Sequence, residues 1–160
     1  MDTSRRDAFL EMIEIHKGIF YKIARLYERD ADDRNDLLQE MFLQVWLSFD
    51  KYDGRTQPST WLYRIALNVA ISAYRKQVRR REVREPIPDT LIDTDDDTDE
   101  ALNRLQGYVR ELKELDRALL ILSLDGNTQT EIAEILGLTP TNVSTRLSRI
   151  RQQLRQKFNP

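Results

Sequence analysis

The apolar positions of this chain recur at steps of three and four residues, the spacing that lines up side chains on one face of an α-helix. Leu10, Ile13, Lys17, Phe20 and Ala24 keep that spacing in a first helix. A second, capped by Asp32 or Asp33 and running to about Ser48, turns Leu37, Leu38, Met41, Phe42, Val45 and Phe49 inward. A third starts at Ser59 or Thr60, runs to about Arg80, and buries Leu62, Ile65, Ala66, Val69 and Ala73. Two more are expected, from about Asp99 to Leu112 and from about Asp116 to Leu124. From Glu85 to Glu100 the chain reads E-P-I-P-D-T-L-I-D-T-D-D-D-T-D-E. Two prolines, dense like charge and no sustained apolar period make an extended, flexible linker. The pattern predicts an all-α protein of two small helical domains, residues 1–84 and 101–160, joined by the acidic linker over 85–100.

The second domain ends in a fully punctuated helix-turn-helix, T-Q-T-E-I-A-E-I-L-G-L-T-P-T-N-V-S-T-R-L-S-R-I-R-Q-Q-L-R, from Thr128 to Arg155. Thr128 and Glu131 have the spacing of a capping box, which satisfies the first orphan N–H groups of a helix. Ile132, Ala133, Ile135 and Leu136 give that helix its apolar face, and Gly137 supplies the left-handed residue that ends it. Thr139 then caps a second helix with Pro140 at its first position, where the missing N–H is harmless. Val143, Leu147, Ile150 and Leu154 form one buried stripe of this helix. Asn142, Ser144, Thr145, Arg146, Ser148, Arg149 and Arg151 occupy its other faces. Side chains of these types hydrogen-bond base edges and phosphates in a major groove. Taken alone, the unit fits either duplex binding or a packed helical hairpin with a solvated polar face.

Composition narrows the chemistry. The chain has no Cys, which removes disulfides, thiolate metal sites and cysteine nucleophiles. Its single histidine, His16, lies among Ile13, Ile15, Ile19 and Phe20 and suits helical packing better than a catalytic triad or a metal site. The start is polar and charged with no apolar h-region, and no apolar run approaches membrane-spanning length. Cytoplasmic location and no membrane insertion are therefore expected. The net charge of −2 hides a strong asymmetry. Residues 1–81 carry 15 Lys and Arg against 12 Asp and Glu, and residues 117–160 carry 6 against 3. Residues 82–116 carry 4 against 12, so two mildly basic ends flank an acidic middle.

Two constellations stand out in the first half. In D-L-L-Q-E-M-F-L-Q-V-W, Asp36, Gln39, Glu40 and Leu43 fall opposite the inward face. Acidic and amide groups around an exposed leucine suit a protein-docking patch, and equally a solvated helix face. From Lys51 to Arg81, Tyr52, Trp61, Tyr63 and Tyr74 alternate with Arg64, Asn68, Ser72, Arg75, Lys76, Arg79, Arg80 and Arg81. Aromatic platforms beside a basic track are what single-stranded nucleic acid requires, stacking for bases and charge for phosphates. The alternative assigns Trp61 and the tyrosines to the core and the arginines to a solvated helix end.

Together these segments resemble an RNA polymerase sigma factor of the extracytoplasmic-function group of the sigma-70 family, over nearly the whole chain. D-L-L-Q-E-M-F-L-Q-V-W is similar to region 2.2, and Y-D-G-R-T-Q-P-S-T-W-L-Y-R-I-A-L-N-V-A to the family's F-x-G-x-S…T-W-L-x-R-I-A-x-N pattern. The unit from Leu112 onward resembles region 4. The resemblance implies a promoter-specificity factor, not an enzyme, with no cofactor and no metal. It would place Asp36, Gln39, Glu40, Phe42, Leu43 and Trp46 in the segment that docks on the clamp helices of the polymerase β′ subunit. Tyr52, Trp61 and Asn68 would surround a flipped base of the melted −10 element, and Arg64, Arg75 and Arg79 would track its strand. Asn142, Ser144, Thr145, Arg146, Ser148 and Arg149 would face the −35 duplex. The implied partners are core RNA polymerase, through the β′ clamp helices and the β flap, promoter DNA, and an anti-sigma factor.

Three positions depart from the family pattern. Tyr52 stands where Phe is usual, Gln57-Pro58 replaces the usual Ser-containing loop, and Ser144 stands where a basic residue is common. The first two bear on which base is flipped, the third on −35 preference. The acidic linker is either a spacer or a negative strand threaded through a basic polymerase channel, the course the family implies. A second reading of the whole chain is a dimeric helix-turn-helix regulator that binds palindromic duplex without polymerase. A nucleic-acid enzyme lacks the necessary carboxylate, histidine or nucleophile cluster.

Overall fold

The structure, a computed structural model, describes residues 3–83 and 100–158. The expected linker falls outside these residues except for Glu100, which opens a helix. The helices are α1 (Thr3–Tyr27), α2 (Ala31–Ser48), α3 (Pro58–Val83), α4 (Glu100–Glu111), α5 (Glu114–Leu124), α6 (Gln129–Leu136) and α7 (Pro140–Phe158), with a 3-10 turn at Phe49–Lys51 after α2. No strand occurs among the described residues, so the all-α expectation holds. The chain divides into two compact units, with the boundary between Asn103 and Arg104.

In the first unit α1, α2 and α3 each pack on the other two. The core is built from Phe20, Ile23, Ala24 and Tyr27 of α1, Leu37, Leu38, Met41 and Val45 of α2, and Leu62, Tyr63, Ala66, Leu67, Ala70 and Ile71 of α3. Two faces differ from the sequence reading. On α1, Leu10 is 50% exposed and Lys17 is exposed, and the first turns reach the C-terminal end of α2. There Phe9 sets its ring edge-on to Trp46 and Phe49, at 5.0 and 5.8 Å. On α3, Ile65, Val69 and Ala73 are only half-buried. A helix wedged against two partners buries a broad arc, and here that arc is centred on Tyr63, Ala66 and Ala70.

Helix starts follow local chemistry. Asp30, not Asp32 or Asp33, caps α2: its backbone is extended (φ −75°, ψ 136°) and its carboxylate accepts from the Asp33 N–H at 3.1 Å. Asp32 and Asp33 lie in the first turn, where negative charge suits the positive end of the helix dipole. Pro58 opens α3, one residue before the expected Ser59, in the position that needs no N–H.

The second unit has the helix-turn-helix in the expected register. Thr128 Oγ1 accepts from the Glu131 N–H at 3.1 Å, and Glu131 Oε1 accepts from the Thr128 N–H at 3.3 Å. Gly137 is left-handed at φ 71°. Thr139 Oγ1 accepts from the Asn142 N–H at 3.1 Å, and Val143, Leu147 and Ile150 are buried. Residues 117–122 of α5 are buried on every side, Arg117 included. Its Nη2 donates to the carbonyls of Arg110 and Leu112, at 2.7 and 3.1 Å, and so caps the C-terminal end of α4. Tyr108 ties α4 to α7 through its hydroxyl and Gln153 Oε1, at 3.2 Å. Burial holds this phenol above its usual range, and Lys157 opposes the shift.

Candidate functional site

Three exposed faces carry the sequence candidates. On α2, Asp36, Gln39, Glu40 and Leu43 share one exposed face, and Leu47, one turn further on, extends it. Leu43 and Leu47 are 48% and 61% exposed, two apolar side chains beside an acidic and amide patch. Gln44 Nε2 donates to Glu40 Oε1 at 3.0 Å and so orients that carboxylate. Phe42 and Trp46 turn away from this face. Phe42 packs on Phe20 at 5.1 Å between ring centres. The Arg5 guanidinium lies 3.9 Å from the centre of the Trp46 ring, with Phe9 on the ring as well. Both aromatics therefore stiffen α2 from behind instead of joining its exposed patch.

The second face begins in the loop before α3. The Tyr52 and Trp61 rings lie 4.8 Å apart with 32° between their planes, and both are half-buried. The Tyr52 hydroxyl donates to the Thr56 carbonyl, which closes the loop on itself. Asp53 Oδ1 accepts from the Arg55 N–H at 3.0 Å, and Gly54 takes φ 79°, where a β-carbon would be strained. From Trp61 a single stripe continues through Arg64, Asn68, Ser72, Arg75 and Arg79. At 3.6 residues per turn these side chains fall within an arc of ~80° over roughly 27 Å. Asn68, Ser72, Arg75 and Arg79 are exposed and Arg64 is half-buried. A groove of about 790 Å³ runs between α2 and α3, with Asp36 and Glu40 on one wall and Asn68, Ser72, Lys76 and Arg80 on the other.

The third face is the outer side of α7. Ser144, Thr145, Ser148 and Arg149 are exposed, and Asn142 and Arg146 are half-buried. The Thr145 hydroxyl donates to the Thr141 carbonyl at 3.0 Å. Arg146 does not project freely: its Nε donates to Asn142 Oδ1 at 3.0 Å and its Nη1 pairs with Asp116 Oδ1 at 3.3 Å.

Sequence reasoning passed over Arg5, Asp50 and Asp116, which hold these faces in shape. Arg5 Nε donates to Asp50 Oδ1 at 2.7 Å and Nη2 to the Trp46 carbonyl at 3.1 Å. Such contacts bridge 41 and 45 residues and leave no periodic trace in the sequence. No group of three or more His, Cys, Asp or Glu side chains suited to a metal ion occurs among the described residues. No helix among them is long and apolar enough to cross a membrane.

Family models place these faces in context. Sigma-70 region 2 matches residues 12–80 and sigma-70 region 4 matches residues 102–154. The ECF RNA polymerase sigma factor SigW of Bacillus subtilis is 28% identical, over 96% of this chain and 90% of its own length. The RNA polymerase sigma factor HrpL of Pseudomonas syringae is 32% identical, over 82% of this chain and 77% of its own. Among solved structures, the sigma factor RpoE of Bartonella quintana, in complex with the anti-sigma factor NepR, has the same fold. Its TM-score is 0.80 at 21% identity, covering 96% of this chain and 99% of that one.

Proposed function

Because the chain belongs to the sigma-70 family, in its extracytoplasmic-function group, we propose that its helical units divide promoter recognition among the three faces described above. As a sigma factor, the protein binds core RNA polymerase and directs promoter-specific transcription initiation. In our reading Asp36, Gln39, Glu40 and Leu43 dock on the β′ clamp helices, with Phe42 and Trp46 as the support behind them. Charge around an apolar anchor gives such a contact both specificity and affinity. Tyr52, Trp61 and Asn68 receive a flipped base of the melted −10 element, and Arg64, Arg75 and Arg79 follow its phosphates. Asn142, Ser144, Thr145, Arg146, Ser148 and Arg149 face the −35 duplex in its major groove, and the C-terminal unit also meets the β flap. Residues 1–84 and 101–160 act as separate grips joined by the 85–100 linker.

The observation that carries this reading is the continuous stripe on α3, headed by the Tyr52–Trp61 ring pair and followed by Asn68 and the arginines. The protein has no catalytic chemistry of its own, works in the cytoplasm, and is held inactive by an anti-sigma factor that covers its docking surfaces. The RpoE structure, solved with the anti-sigma factor NepR, supports that last element.

The deciding experiment is transcription by purified core polymerase from a genomic promoter library, with and without the protein. Selective transcripts that depend on the protein are expected. Failure to stimulate any promoter, together with failure to co-purify with core, would overturn the reading.

A further inference from the structure

Asp116 belongs to α5, outside the recognition helix, yet it holds Arg146, which in turn bonds Asn142, two of the side chains proposed to read the −35 duplex. Its Oδ1 lies 3.3 Å from Arg146 Nη1, and the same guanidinium donates from Nε to Asn142 Oδ1 at 3.0 Å. The Arg146 and Asp116 side chains are 34% and 23% exposed, so the pair is partly withdrawn from solvent. Ser148 and Arg149, on the same helix, are exposed.

The difference matters for how each arginine meets DNA. An unrestrained arginine carries a full charge on a flexible stem and binds any phosphate within reach. Arg146 is fixed at two points, its charge faces a carboxylate, and only its remaining N–H groups are available. Asn142 is fixed in turn: with Arg146 on its oxygen, it keeps both amide N–H groups and one carbonyl lone pair for a base edge. A carboxamide presenting donor and acceptor together is the group that reads adenine in the major groove.

We propose that Asp116 is a specificity-determining residue, which positions Arg146 and Asn142 for base edges and withholds Arg146 from the phosphates. The inference rests on the reading that α7 faces the −35 duplex. Specificity is a difference of affinities, and this arrangement widens the difference by lowering binding to the wrong sequence as well as by orienting groups for the right one.

The test uses holoenzyme assembled from core polymerase and the full chain. Wild type, Arg146→Ala, Asp116→Asn and Asp116→Ala each select from a promoter library with a fixed downstream element and a randomised upstream duplex block. Asp116→Asn keeps the side-chain shape at the start of α5, and Asp116→Ala removes the contact outright. Arg146→Ala identifies the base positions that the pair reads, as those whose preference falls. At these positions the Asp116 variants should lose roughly five- to tenfold of discrimination, the lower part of the range one base contact supplies. Binding to scrambled upstream duplex should rise, and the log–log salt slope should steepen by about one, the signature of one added phosphate contact.

Wild-type preferences and salt slope in both Asp116 variants, with preference lost in Arg146→Ala, would overturn the inference and leave the proposed function standing. A proportional loss of matched and scrambled binding in the Asp116 variants would also overturn it, because that is the mark of a merely structural role. If Arg146→Ala changes no upstream preference, the proposed reading face fails and the inference fails with it.

Discussion

Arg5 stacks its guanidinium 3.9 Å from the centre of the Trp46 ring while its Nε donates to Asp50 at 2.7 Å. One side chain near the start of α1 thus clamps both the end of α2 and the 3-10 turn that leads to Tyr52. The Tyr52 N–H itself donates to the Phe49 carbonyl, at 3.3 Å, so the turn sets where the recognition loop begins.

Replacing Arg5 by alanine tests that clamp. The Asp50 side chain is 71% exposed, so the ion pair itself adds little, and the stacking contributes most. A loss of roughly 0.5–1 kcal/mol is expected, the value of a partly exposed cation–π contact. Denaturant unfolding measures it. Arg5→Lys should recover only part of the loss, because an ammonium cannot stack on the ring while making the same two bonds.

Tyr52 separates ring from hydroxyl. Tyr52→Phe removes the bond to the Thr56 carbonyl but keeps the ring on Trp61. Tyr52→Ala removes the platform. Base stacking on an aromatic is worth about 1–3 kcal/mol, or roughly five- to more than a hundredfold. Promoter melting by the holoenzyme, followed by the reactivity of unpaired thymines, should fall by that range in Tyr52→Ala and little in Tyr52→Phe. Binding to core polymerase should be unchanged in both.

On α2 the exposed face and its supports predict different failures. Gln39→Ala combined with Glu40→Ala, or Leu43→Ala alone, should weaken assembly with core by about thirtyfold or more, the effect of an interface hot spot. Thermal unfolding should scarcely move, since these side chains are exposed. Trp46→Ala should lower stability first, by loss of packing with Arg5 and Phe9. Titration of labelled protein with core, beside a melting curve, distinguishes the two.

Gly137 ends α6 at φ 71°, and no atom lies within 4 Å of where a β-carbon would stand. Gly137→Ala therefore meets backbone strain alone, about 1–2 kcal/mol. In a unit of this size that lowers the melting temperature by roughly 4–8 °C per kcal/mol. Gly137→Asn should fall by less, because asparagine tolerates the left-handed region.

That glycine shows why some parts of the fold were legible in the sequence. The capping box at Thr128, the left-handed Gly137 and the Thr139 cap all rest on contacts within a few residues, so the helix-turn-helix could be read letter by letter. The exposed face of α2 was legible for the same reason, since one strong apolar period fixes its opposite side. The buried arc of α3 was not. That helix has apolar residues on three sides, and the choice of Tyr63, Leu67 and Ala70 over Ile65 and Val69 is made by α1 and α2. The pairing of Arg146 with Asp116 was not legible, because the two lie thirty residues apart in the chain. The sequence reading put the cap of α2 at Asp32 or Asp33, and the extended backbone at Asp30 moves it there instead.

Arg117 poses the sharpest stability question, because a buried charge can be a liability. Desolvation of a guanidinium is expensive, and apolar replacement of a fully buried ion cluster is often neutral or stabilising. Here, however, Nη2 donates to backbone carbonyls, of Arg110 and Leu112, which no substitution at residue 117 removes. Arg117→Met would fill similar space and leave at least the buried Leu112 carbonyl without that donor. Losing one partner costs the desolvation of the other, about 1–3 kcal/mol, and bonds from a charged donor lie at the upper end. Destabilisation of roughly 2–3 kcal/mol is therefore expected for Arg117→Met in denaturant unfolding. Arg117→Lys should rescue little, since a point charge on a shorter reach cannot span two carbonyls as the planar fork does. A neutral or stabilised Arg117→Met would mean that the guanidinium's desolvation outweighs its capping of α4.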